Sequence, residues 1–319
     1  MNIITYKYEK NKSKADSASM KKIKTKKNKY AQDNSSHSSL FAIGNMFNLN
    51  RSLSAFNPNM KYLFMFTILS AVLSMAYSLV VSKLSVDAAS TVAVLTAAVF
   101  FFSYLIAREL EPDRSKGAFI AGILSLIFTS IWGLGNIVVL FWMLMLLRML
   151  SRTCGQGPGL IDNILILAAT YWIVRDGQWG YAVLTVLACA FDSQLPSGSG
   201  RSLYTAGFAF VIAAFSPKVP YEVSSVHADM FAVIIVATVL FLPIIKLAEH
   251  TKSLDDYTRQ PLATLRLQFA SIFTILASFG MIWFYGQNVI QSFMPIWASV
   301  LGTGIYLPIA LITGKKSQA

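Results

Sequence analysis

Nine ionisable residues crowd the ends of apolar runs in the middle of the chain. Arg108, Glu109, Glu111, Asp113 and Arg114 fall within the seven residues RELEPDR, and Arg148, Arg152, Asp162 and Asp192 stand beside the apolar runs that follow. Paired carboxylates can hold a divalent cation that bridges a phosphate, while arginines clamp the remaining oxygens. The plainer reading is a solvated turn at Pro112 with ion pairs worth little each. Asp162 follows Gly157-Pro158-Gly159 closely enough to be an acidic first-turn residue favoured by the helix dipole. A second, smaller charged set consists of Arg175, Asp176 and Asp229, with His227 nearby. These residues assign no resident metal and no cofactor. Cys154 and Cys189 lack metal-ligand spacing and are too few for a disulfide framework.

The elements that must carry these side chains are apolar. Thirty-one residues from Gly117 to Leu147 pass without an ionisable side chain, broken only by Gly133-Leu134-Gly135-Asn136. A run of that length reads as a transmembrane hairpin with a tight turn. Hydropathy along the whole chain gives ten spans: Tyr62–Val81, Ser90–Ala107, Gly117–Trp132, Ile137–Leu147, Leu160–Val174, Trp179–Phe191, Leu203–Phe215, Met230–Ile245, Leu267–Tyr285 and Val289–Ile312. A hydrocarbon core of about 30 Å needs about 20 helical residues. Spans three to seven, within 117–215, are therefore short and need protein around them, which makes them the expected functional centre. With the N-terminus inside, the cytoplasmic loops and C-terminus receive twelve Lys and Arg and the outer loops receive Lys83, Arg175 and Lys218. The positive-inside rule then places both termini in the cytoplasm. A short echo, ILAATYWIVRDGQ and ILASFGMIWFYGQ, places Gly177-Gln178 and Gly286-Gln287 at matching positions.

Composition supports a membrane domain. The chain is 55% hydrophobic and 13% charged with a mean hydropathy of +0.55, against roughly 25% charged in soluble domains. The net charge of +12 is mostly a tail, because residues 1–61 hold twelve of the 27 Lys and Arg against three acids. That distribution argues against a nucleic-acid partner and for contact of the Lys21–Lys29 run with anionic lipid headgroups. Residues 1–58, rich in Lys, Ser and Asn, are expected to be a disordered cytoplasmic tail that buries no area. Residues 59–319 are expected to form the membrane domain.

The expected fold class is all-α, a polytopic transmembrane bundle of about ten spans in the cell membrane, with the lipid bilayer as its partner. No ionisable residue lies at the middle of any span, which weighs against an ion-coupled pump. HExxH, P-loop and GxSxG motifs are absent, and Pro196-Ser197-Gly198 lacks the histidine that a lipid phosphatase would need. The leading expectation is a transporter, permease or lipid-handling protein with its pathway among the short central helices. The alternatives are a membrane-embedded transferase acting on a lipid-linked or phosphate-bearing substrate and a non-catalytic scaffold. The alternation of full-length and shortened spans resembles the membrane portion of lipid-linked-sugar glycosyltransferases, whose acidic residue in the first outer loop has only Asp87 as a counterpart.

Overall fold

Each apolar run becomes a helix in the computed structural model, which describes residues 49, 58–218, 226–256 and 259–316. In chain order the helices are α1 (Pro58–Val80), α2 (Val86–Leu110), α3 (Ser115–Trp132), α4 (Ile137–Ser151), α5 (Leu160–Val174), α6 (Gly180–Gln194), α7 (Gly200–Phe215), α8 (Ala228–Leu247, followed by a short turn at Ala248–His250), α9 (Thr264–Tyr285) and α10 (Gln287–Lys316). Six of them, α1, α2, α3, α8, α9 and α10, are long and apolar enough to cross a membrane. The remaining four have 15 or 16 residues. Ser115 and Lys116 join α3 and bring it to 18 residues, so the short run begins at Ile137.

Contacts between helix ends show that neighbouring helices alternate in direction. At one end the Asn136 N–H donates to Ser292 Oγ (2.9 Å) and the Gly180 N–H to the Tyr285 hydroxyl (2.9 Å), joining the starts of α4 and α6 to the α9–α10 junction. The loops before α3, α5, α7 and α9 gather at the other end, which carries Arg108, Arg148, Arg152 and Arg266 and is called the basic end below.

The short α4 forms the centre. Twelve of its fifteen residues are buried, and it packs against α2, α5, α6, α9 and α10. A helix that is apolar on every side is stable only when surrounded, which is why a run too short for the bilayer takes this position. The Gly133–Asn136 break before it is a turn, with Gly133 at φ +95° and Asn136 capping α4 by accepting the Val138 N–H (2.9 Å). Gly135 has no room for a side chain, since a Cβ there would lie 2.4 Å from the Gln291 carbonyl oxygen. α3 and α4 do not pack along one another as a hairpin; α2 and α10 lie against both.

α10 runs along α3 in the most extensive helix pair and also touches α8. Small residues allow this approach, as is common between membrane helices. A Cβ on Gly302 would lie 2.5 Å from the backbone of Ala121 on α3, and one on Gly304 would lie 3.0 Å from the backbone of Leu240 on α8. Large apolar side chains on α1, α7 and α8, among them Val72, Phe208, Phe215 and Val239, face outward. A surface of that kind belongs in lipid.

The expected disorder of residues 1–58 and the lysine run Lys21–Lys29 lie outside the described residues, apart from Leu49 and Pro58. Leu49 is fully buried, so this position contributes packing that a structureless tail would not.

Candidate functional site

Two features stand out: a buried ionic network at the basic end and an apolar groove beside it. The network begins at Asp192, in the last turn of α6. Its carboxylate accepts from Arg152 Nε and Nη2 (3.3 and 3.0 Å), from Arg266 Nη1 (2.8 Å) and from the Ser202 hydroxyl at the start of α7. Arg266, in the first turn of α9 and 1% exposed, also donates to the carbonyls of Leu150 (3.1 Å), Pro196 (2.6 Å) and Asp192 itself (3.3 Å). The last carbonyls of a helix have no partner within it. One guanidinium therefore closes the ends of both α4 and α6, which stop short of a full span.

A second branch runs through Glu109, at the end of α2. Glu109 is 1% exposed and accepts from Arg148 Nε on α4 (3.1 Å) and from the Thr153 hydroxyl. Arg148 Nη1 donates onward to the Leu49 carbonyl (3.2 Å), to which the Cys154 thiol also donates (3.4 Å). The Leu49 N–H donates to Asp162 Oδ2 (3.1 Å), which takes the Gly159 N–H as well (2.7 Å). Asp162 is thus an N-terminal acid of α5, in the role its spacing predicts, and also half of a clamp on the main chain of Leu49. Removal of residues 1–50 is expected to open Cys154 to a maleimide while Cys189, buried within α6, stays protected. Peptide mass spectrometry of the labelled protein reads both thiols, and an unreactive Cys154 in the truncated protein would refute the clamp.

The remaining members of the RELEPDR segment separate. Glu111 pairs with Arg114 (2.6 Å), yet burial pushes its carboxyl up to about 7, against the pull of Arg114 and with a smaller push from Asp113. Asp113 is exposed and turns instead to the loop before α9, accepting the N–H groups of Lys252 (3.1 Å) and Ser253 (2.9 Å). Arg108 is partly buried. The nine residues therefore form two buried ion-pair groups and a pinned loop, not one converging set. Among the described residues no three His, Cys, Asp or Glu side chains are grouped to hold a metal ion. Glu109, Asp162 and Asp192 are each engaged by arginine or by backbone N–H groups.

The charged residues at the opposite end do not converge either. Arg175 and Asp176 pair at 3.6 Å with side chains 51% and 70% exposed, and Arg175 sits over the Trp172 ring. Asp229 accepts from Trp132 Nε1 (3.3 Å), and His227 is exposed. Asp87 lies in the exposed first turn of α2.

Arg266, Ser202, Thr153 and Leu49 escape a reading by spacing. The one local signal for Arg266 is a guanidinium inside the start of an apolar run, where a solvated cation would sit further out.

The groove lies between α6 and α9 and encloses about 510 Å³. Val183, Leu184, Leu187, Phe273 and Leu276 line it, and Leu276 at 65% exposure forms an open lip. Phe191 and Phe269, with ring centroids 5.1 Å apart, close it toward the basic end. The Gly180–Tyr285 hydrogen bond closes it toward the other. Gly280 faces this space: a Cβ there would meet no atom within 4 Å. Glycine within a helix is unfavourable by about 1 kcal/mol relative to alanine, so a glycine that packs against nothing leaves room rather than closing a contact. A shallower cavity of about 430 Å³ lies on the other flank of α6, against α7. The chain matches no protein-family model, no curated protein and no solved structure.

Proposed function

We propose that the protein is a lipid-handling membrane protein that takes one hydrocarbon chain of a lipid into the groove between α6 and α9. The groove carries this reading: it is apolar, bounded at both ends by aromatic side chains and open along its side. Its length, about 18 Å along α6 from Trp179 to Phe191, suits an extended chain better than a compact solute. The pathway lies on the flank of the short helices, because α4 itself is filled by Trp142, Met143 and Leu146. The transferase reading ranks second, since the buried acids that would do its chemistry already neutralise arginines or cap a helix.

Gly280→Trp tests the groove. The indole would fill space that no other side chain occupies, so the expected result is a folded protein that retains far less co-purified lipid by mass spectrometry. Gly280→Ala should retain lipid and gain about 1 kcal/mol of helix stability. Undiminished lipid in the Trp variant would overturn the proposal.

The proposal includes ten crossings of the cell membrane with both termini cytoplasmic, which puts the basic end on the inner face. It rests on the loop charges and on the alternating helix directions. Reporter fusions after Trp132, Arg175 and Lys218 are expected to read outside, and fusions after Lys116, Arg201 and Lys252 inside. Two or more reversed reporters would refute this topology.

A further inference from the structure

α6 separates two apolar spaces and carries the wall that they share. Trp179, Val183 and Leu187 line both the groove against α9 and the shallower cavity against α7. Side chains four residues apart form a ridge along a helix, and these three make a crest about 12 Å long. Gly180, Leu184 and Phe191 line only the α9 groove, and Val186 lines only the α7 cavity. At 3.6 residues per turn the two sets fall on opposite flanks of the crest.

The crest faces out of the bundle, since Leu187 is exposed. Leu276 on α9 and Phe210 on α7, each 65% exposed, form the outer lips. The two spaces are therefore neighbouring furrows on one lipid-facing surface, of about 510 and 430 Å³. Small side chains, Ala213 and Ala214, keep the α7 wall of the second furrow low.

The furrows meet at Trp179, the residue before α6, at the end of the molecule opposite the basic end. An indole suits a boundary between apolar and polar surroundings. Lys218, three residues past the end of α7, lines the second furrow. Among the described residues lining the two furrows it alone is charged. Arg175 and Asp176, in the turn before Trp179, pair with each other and add no net charge. The place where the furrows converge thus offers an aromatic ring and a cation.

Resting on the lipid reading of the α6–α9 groove, we infer that its ligand is a two-chain phospholipid that straddles the crest of α6, one chain in each furrow, with its phosphate at Lys218. The chains of such a lipid are joined at one end, as the furrows are. Once the first chain is seated, the second meets its furrow as an intramolecular partner, at a high effective concentration. A one-chain lipid would leave the α7 furrow unfilled, and a two-chain lipid without phosphate would gain nothing from Lys218.

The test is native mass spectrometry of the full-length protein in detergent with diacyl phosphatidylglycerol, its one-chain lyso form and the diacylglycerol of the same chains. A diacyl lipid also partitions more strongly into micelles, so the decisive readout is the change in the diacyl-to-lyso ratio between variants. Ala214→Trp, at an exposed position, fills the α7 furrow without entering the core and is expected to lower that ratio several-fold. Val72→Trp, on the outward face of α1, should leave it unchanged. Lys218→Gln should weaken retention of phosphatidylglycerol about threefold, what one exposed ion pair supplies, and leave diacylglycerol unaffected. A ratio that Ala214→Trp does not lower would overturn the straddling lipid, and undiminished phosphatidylglycerol in Lys218→Gln would overturn the phosphate assignment. If Gly280→Trp releases lipid while Ala214→Trp leaves the ratio alone, the α6–α9 groove stands and only this inference fails. If Gly280→Trp releases none, the groove reading itself fails.

Discussion

Asp192→Ala is expected to give a protein that no longer survives purification in detergent intact, or that melts on the order of 10 °C lower. The carboxylate is fully buried and is shared by Arg152 and Arg266, at 3.0 and 2.8 Å. Removal of one partner from a buried ionic group leaves the others without compensation, at a cost of about 3–5 kcal/mol. The loss spreads because Arg266 also holds the last carbonyls of α4 and α6, so its movement would uncap two helices at once. Asp176→Ala is the matched control. Its pair with Arg175 is wide and exposed, and its loss should change stability by no more than about 0.5 kcal/mol. Thermal unfolding of the two variants followed by tryptophan fluorescence reads the difference, and equal melting temperatures would show that the network does not hold the basic end together.

Gly302→Ala is expected to destabilise the bundle by about 1–3 kcal/mol, although alanine is the better helix former. The added methyl would lie 2.5 Å from the Cα and N of Ala121, and backbone cannot rotate out of the way as a side chain can. The whole of α3 would have to move off α10, its main neighbour. Gly280→Ala makes the same substitution within a helix at a position open to the groove and should have the opposite sign. Melting temperatures of the two variants therefore test the packing of α3 on α10 separately from helix propensity. A neutral or stabilising Gly302→Ala would mean that these helices are less closely packed.

The local features legible in the sequence are those that chemistry makes local. Ten apolar runs in order become ten helices, because a run of ten or more apolar residues between polar breaks has few other ways to satisfy its backbone in lipid. The breaks are legible for the same reason. Gly133 and Asn136 mark a turn and a cap, and the echoed Gly177 and Gly286 both take positive φ at the ends of α5 and α9. The charges, absent from the middle of every run, had to lie at helix ends.

Partners are a different matter. Glu109 stands beside Arg108 in sequence and pairs with Arg148, while Asp113, one residue from Arg114, holds a loop 140 residues away. Nothing in local spacing selects these partners, since any cation brought to the same end would satisfy the same Coulomb attraction. Membrane helices are apolar both where they meet protein and where they meet lipid, so periodicity does not reveal which face is buried. For that reason the central place of α4, the clamp on Leu49 and the groove beside Gly280 came from tertiary structure alone. The sequence by itself determined the helices, their order and the ends at which charge collects; only the packing of those helices decided which charges are buried together and where space was left between them.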